Sequence, residues 1–181
     1  EAVSGFTNAD LTVANGTLSA VSSSDGGMTW TATFTPASAI SDTSNVITLD
    51  NSGVQNGSGN AGSGSTDSNN YVVETQRPTA TIAVANGTLG IGQTTTVTIT
   101  FSEVVSGFDL SDLSVANGVL SNLVSSDGGK TWTATLTPTA AITDASNVIT
   151  LDASQVNGVA GNAGSSIAIS NNYAINTSAL T

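Results

Sequence analysis

Apolar and polar residues alternate strictly along two stretches of the chain. In TVTITF (96–101), Val97, Ile99 and Phe101 fall on one face and threonines on the other; in TWTATLT (131–137), Trp132, Ala134 and Leu136 do the same. A period of two marks an antiparallel strand with one face buried and the other wet. Further strands are expected at 79–85, 111–116, 119–125, 146–152 and 166–176, with turn signals at Asn86-Gly87, Asn117-Gly118, Asp127-Gly128 and Asn157-Gly158. No capped helical segment is expected anywhere.

The pattern occurs twice. Placing residue n over residue n+102 aligns EAVSGF (1–6) with EVVSGF (103–108), SSDGGMTWTATFTP (23–36) with SSDGGKTWTATLTP (125–138), and SNVITLD (44–50) with its copy at 146–152. GNAGS (59–63) and SNNY (68–71) also repeat at the same offset, and roughly three positions in five are identical. Seven short strands per repeat predict an all-β chain of tandem Ig-like β-sandwich repeats. The expected division is an incomplete repeat at 1–75, lacking its first two strands, a complete repeat at 76–177, and the start of another at 178–181. The segment PTATIAVANGTLGIGQTTTVTITFS (78–102) has no counterpart in the first repeat. That phase reads as a window on a longer tandem array; the sharper alternative is that another copy donates the missing strands.

Composition narrows function mostly by exclusion. The chain has no Cys and no His, and Arg77 and Lys130 face thirteen Asp and Glu, giving a net charge of −11. No basic surface is available to neutralise phosphates, so nucleic acid is not an expected partner. Disulfides, thiolate chemistry and histidine metal sites are impossible. No apolar run approaches the roughly 18 residues of a membrane span, and membrane insertion is not expected.

Strand order also sorts the loops. If the strands run up and down, the loops 103–110, 126–130 and 153–165 share the pole where the repeat begins, and the Asn86-Gly87 turn, the Asn117-Gly118 turn and the 138–145 loop share the other. Glu103, Asp109, Asp112, Asp127 and Asp152 collect at or near the first pole, with Glu74 in the linker arriving there; only Asp144 falls at the far one. Like charges crowded without Lys or Arg repel unless a cation or solvent screens them.

SSDGGKTW (125–132) resembles the Asp-box of sialidase-type propellers, a structural hairpin in which the Asp caps the turn, the glycines take positive φ and the Trp packs beneath. Two such boxes 102 residues apart and a single Arg do not suit a sialidase-like propeller, so Asp25 and Asp127 are expected to act as turn caps.

FSEVVSGFDLSDLSVANG (101–118), TWTATLTPTA (131–140) and GVAGNAG (158–164) together resemble the bacterial Ig-like repeats of giant secreted and surface adhesins, the extender domains of the RTX-adhesin type. Both copies carry the pattern, with Glu1, Gly5-Phe6 and Asp10-Leu11 in the first and Glu103, Gly107-Phe108 and Asp112-Leu113 in the second. The resemblance implies an Ig-like sandwich lying outside a bacterial cell, acting as a spacer whose partners are neighbouring repeats of the same protein, or another copy completing the first unit. It also implies calcium at repeat junctions. The polarity of the acids fits an oxygen-liganded ion. The expected ligands are Glu74, Glu103, Asp109 and Asp152, with Asn162 and with Asp42 from the preceding far-pole loop. Glu1 and Asp50 are the equivalents in the first repeat, where Thr7 stands in place of Asp109. Gly161-Asn162 and Gly59-Asn60 lack the Asp that often precedes this pair in the family. The opposing reading is that the acids only solvate loops.

An enzyme would have to be a paired-acid glycosidase, for want of other acid–base groups. A carbohydrate-binding module would need exposed aromatics, but Trp30, Trp132, Tyr71, Tyr173, Phe6 and Phe108 sit at matched repeat positions, which favours a shared core. The alternating threonines lack the short solenoid period of an ice-binding plane. The main alternative to a spacer is a subunit of a self-assembling surface filament or S-layer built by strand complementation.

Overall fold

The alternation in TVTITF and TWTATLT builds the middle of a four-stranded antiparallel sheet. In the computed structural model, which describes residues 1–180, Thr95–Phe101 pairs with Thr131–Pro138, Ile99 lying opposite Trp132 and Thr98 opposite Thr133. Ala80–Val84 and Gly118–Ser125 form the two edges of this sheet. Because both central strands keep their period, Val97, Ile99 and Leu136 are fully buried while Thr96, Thr98, Thr100, Thr133 and Thr135 fall on the other face; Thr95, in phase with Val97, is buried. Against this face pack Ile149, Leu151, Tyr173 and Ile175, in one continuous core that also takes in Leu89, Phe108 and Val156. The Phe108 ring stands edge-on to Phe101 (5.1 Å between centroids) and to Trp132 (5.3 Å), closing one end of that core. The matched aromatics are thus core residues here, Tyr173 fully so.

The chain divides into two compact units, Glu1–Gln76 and Arg77 onward. Both are all-β and Ig-like. Of the 178–181 stretch, Thr181 lies outside the described residues. The first unit reproduces the later part of the second: Leu11–Val13 pairs with Ile47–Asp50 as Leu113–Val115 does with Ile149–Asp152. Likewise Ser41–Asn45 pairs with Tyr71–Glu74 as Thr143–Asn147 does with Tyr173–Asn176. It carries no counterpart to Ala80–Val84, Thr88–Gly90 or Thr95–Phe101.

Several expectations need correction. The strand read at 146–152 is two, Thr143–Asn147 and Ile149–Asp152, and the one at 166–176 is Ile167–Ile169 and Tyr173–Asn176. The breaks fall where Asn147 and Ser170 turn buried polar side chains onto neighbouring backbone. Pairing is not wholly antiparallel, since Thr88–Gly90 runs parallel to Tyr173–Asn176. Nor is the chain free of capped helical turns. Asn8–Asp10, Asn51–Gly53, Leu110–Asp112 and Ala153–Gln155 are single 3-10 turns, N-capped by Thr7, Asp50, Asp109 and Asp152. Three-residue turns carry no amphipathic period, so only their caps could have revealed them.

Candidate functional site

The pole of the second unit at which its chain begins is assembled from loops that the strand ends bring together. Val105–Ser106 pairs with Asn157–Gly158, and Val105 N donates to Gly129 O, so the 103–110, 126–130 and 153–165 loops meet. Arg77 joins them by donating Nη1 to Ala163 O at 2.8 Å. The Asp127 hairpin is held from within. Its Oδ1 accepts from Lys130 N (3.1 Å), Thr131 N (2.8 Å) and Ser125 Oγ (3.0 Å), and Trp132 Nε1 donates to Gly129 O. The Asp25 hairpin repeats every one of these bonds, with Trp30 Nε1 donating to Gly27 O. Led by the backbone N–H of Thr131 and of Thr29 respectively, these bonds favour the carboxylate and lower both pKa values from 3.8 to about 2. The capping role expected of both residues is what the geometry shows.

The acids singled out as calcium ligands are largely occupied with turns of their own. Asp109 Oδ1 accepts from Ser111 N at 2.7 Å and Asp152 Oδ1 from Ser154 N at 2.9 Å, as Asp50 does from Ser52 N. The serine bonds lower the pKa of all three, chiefly through the Ser111 and Ser52 hydroxyls for Asp109 and Asp50 and through the Ser154 N–H for Asp152. Thr7, at the position of Asp109, makes the same cap by accepting from Ala9 N. An Asp-to-Thr exchange that keeps the cap but removes the charge identifies capping as the shared task of this position. Glu103 Oε2 accepts from Val159 N, which ties it to the 153–165 loop, where the Asn162 carbonyl accepts from Gly158 N. Glu1 accepts from the Asn56 amide in the first unit. Asp42 and Glu74 lie at the other pole of that unit. There Asp42 accepts from Asn15 and Ser44, and Glu74 from Ser41 and Gln76. Among the described residues no three acidic side chains converge on a point suited to a metal ion.

Two polar features went unread in the sequence. The far pole of the second unit is locked by Asn147, only 2% exposed. Its amide donates to Asp144 O and Tyr173 O, and its Oδ1 accepts from Asn117. The exact recurrence of SNVITLD was the available signal. The second is the Arg77 anchor, which a lone linker arginine could not announce.

Each unit carries a depression. One, of about 140 Å³, is lined by Ile91, Gln93, Pro138, Ala140 and neighbouring threonines; the other, of about 260 Å³, holds Glu1 as its single acid, among Val3, Gln55, Asn56 and Asn60. Neither has the two facing acids a glycosidase needs.

A family model described as "Bacterial Ig-like domain" matches residues 1–73 and again residues 74–175. No curated protein matches the chain. Among solved structures it is similar to one reported as "FdeC, a Novel Broadly Conserved Escherichia coli Adhesin Eliciting Protection against Urinary Tract Infections", at 16% identity and a TM-score of 0.38. That alignment covers 100% of this chain and 53% of the other, so the chain spans about half its length.

Proposed function

The chain belongs to the bacterial Ig-like domain family, two of whose domains it carries in tandem, and from that premise we propose that it is a non-enzymatic mechanical spacer in a bacterial extracellular adhesin. One observation carries this reading. Thr88–Gly90, near the start of the second unit, runs parallel to Tyr173–Asn176 at its end. Tension between the two ends of the unit pulls these strands in opposite directions along a common axis. Their hydrogen bonds are then loaded in shear, together, rather than opened one at a time. Entry and exit at opposite poles agree with that loading: Arg77 is tied to Ala163 at one end, and Thr177 to Thr139 and Ile142 at the other.

Single-molecule stretching between the chain ends tests the reading. The expected trace shows a discrete rupture of the second unit that releases about 100 residues of contour at roughly 3.5 Å each. Extension without a force peak would sink it. Calcium stiffening is the extension that the acidic residues raise. Melting the full chain in EDTA and in CaCl₂, with MgCl₂ as control, tests it; the supporting result is a calcium-specific rise that Glu103→Gln and Asp152→Asn abolish.

A second reading, assembly by strand complementation, is favoured by one feature. Phe34–Pro36 is paired on one side only, whereas its equivalent Thr131–Pro138 is paired on both. Sedimentation over a wide concentration range separates the two, because a spacer stays monomeric and a strand-accepting subunit polymerises.

A further inference from the structure

The chain contains five Asn-Gly pairs, at Asn15, Asn56, Asn86, Asn117 and Asn157, and the fold treats them unequally. Asn-Gly is the dipeptide most prone to cyclise on itself, because glycine leaves its own nitrogen sterically open. The glycine nitrogen, on losing its proton, bonds to the asparagine Cγ. The Cγ–Nδ2 bond breaks and ammonia departs carrying a proton in exchange. Water then opens the cyclic imide at either carbonyl, giving aspartate or isoaspartate and one new negative charge. The step requires freedom to bring Cγ over the next nitrogen, and it is helped by N–H groups that polarise the side-chain carbonyl.

Three of the five are held out of reach. Asn15 and Asn117 sit in left-handed backbone, with φ of 50° and 51°. Each amide group donates twice: Asn15 to Asp42 and Asn45, and Asn117 to Asp144 and Asn147. Their glycines are fixed in strand ladders opposite Pro36 and Pro138. Asn157 lies in the ladder opposite Ser106, and the nitrogen of its buried neighbour Gly158 already donates to Asn162 O.

The other two have the opposite character. Asn86 Oδ1 accepts from Thr88 N at 3.1 Å, a local turn that spans Gly87 and polarises the side-chain carbonyl. Asn56 also lies in a short ladder, opposite Val3, but Gly57 falls outside it, and Asn56 Oδ1 accepts from two backbone donors, Ser58 N and Asn60 N, each at 3.0 Å. Gly57 and Gly87 are both exposed, and a side chain added at Gly57 would meet nothing within 4 Å. We propose that Asn56 and Asn86 are sites of spontaneous, water-completed deamidation, and that the fold protects Asn15, Asn117 and Asn157. The Asp-Gly pairs at Asp25 and Asp127 do not join them. Their cyclisation needs a protonated carboxyl, and the hairpin bonds keep both ionised. At Asn56 the new carboxylate replaces the amide that donates to Glu1, turning an attraction into a repulsion. At Asn86 the aspartate product retains the side-chain carbonyl that accepts from Thr88 and keeps the turn with an added charge, whereas the isoaspartate product runs the backbone through that carbonyl and loses the turn.

The test is to age the full folded chain in mildly alkaline buffer at body temperature and follow each Asn-Gly pair by peptide mass spectrometry. Asn56 and Asn86 should convert about tenfold faster, or more, than the other three, whose reaction waits on local opening. In urea-unfolded chain the five rates should fall within a few-fold of one another. Gly57→Ala and Gly87→Ala should each slow their own site and leave the other unchanged. Equal rates in the folded chain, or Asn15, Asn117 or Asn157 converting first, would overturn the proposal; conversion at one of the two named sites alone overturns the other.

Discussion

Asn117 donates its side-chain amide to Oδ1 of Asn147 at 2.7 Å, and Asn15 makes the same 2.7 Å bond to Asn45 in the other unit. The pair joins the turn after Leu113–Val115 to the end of Thr143–Asn147, two segments that share no ladder. Asn147 also satisfies the carbonyls of Asp144 and Tyr173. Asn147→Ala should therefore leave two acceptors and one donor short of a partner in a site sealed from water. The expected loss is about 3 kcal/mol or more for the second unit, read as a lower urea midpoint. Asn147→Asp should be nearly as damaging, because it cannot donate to either carbonyl.

Gly129 admits no side chain. Its φ is +112°, and a Cβ there would stand 2.7 Å from Val105 O, which lies on the adjoining loop. Gly27 repeats this, with φ +95° and Val3 O at 2.5 Å. Gly129→Ala should cost about 2 kcal/mol or more through backbone strain and displacement of the 103–110 loop. Gly128→Ala shares the positive φ but meets nothing within 4 Å, so it should cost less. Comparing the two melting temperatures isolates the contact from the strain.

Much of this architecture could be read from residue order. The central strands, the 102-residue repeat, the grouping of loops at two poles and the Asp127 hairpin all follow from periods and turn residues that act locally. What escaped is non-local or too short to show a period. The parallel pairing of Thr88–Gly90 with Tyr173–Asn176 joins segments some 85 residues apart through backbone bonds that leave no side-chain signature. Asp109 and Asp112 look like charge, and Asp109 is an expected ligand, yet each accepts a backbone N–H of one 3-10 turn. The Asp-x-x-Asp spacing, with Thr7-x-x-Asp10 at the matching place, was the overlooked sign of a capping box.

The capped hairpins make acid stability predictable in sign. Asp25 and Asp127 have folded pKa values lowered from 3.8 to about 2, so the unfolded chain binds protons more readily than the folded one. Their contribution is fully present above the unfolded value and is lost as pH falls through the folded one. Urea midpoints measured across this range should be level at neutral pH and decline between about pH 4 and pH 2. Asp50, Asp109 and Asp152, also lowered, act in the same direction. Asp127→Asn should flatten part of that decline while lowering stability at neutral pH. A midpoint that rises on acidification would contradict the capping account.

The two units should differ in stability although most of their sequence is shared. Of the buried hydrophobic residues, all but Val73 lie in the second unit. Leu136 is fully buried, whereas Phe34, its equivalent, is only half-buried, as are Ile47, Leu49 and Tyr71. Burial of apolar surface sets the main stabilising term, so the first unit should unfold at lower urea than the second. Trp30 and Trp132 report on one unit each, and Trp30→Phe or Trp132→Phe leaves a single probe in an otherwise intact chain. Two separate fluorescence transitions are expected, the Trp30 transition first. Leu136→Ala should then move the Trp132 transition alone, by about 3 kcal/mol. A single coincident transition for both probes would show that the units stand or fall together, which unequal cores by themselves do not allow.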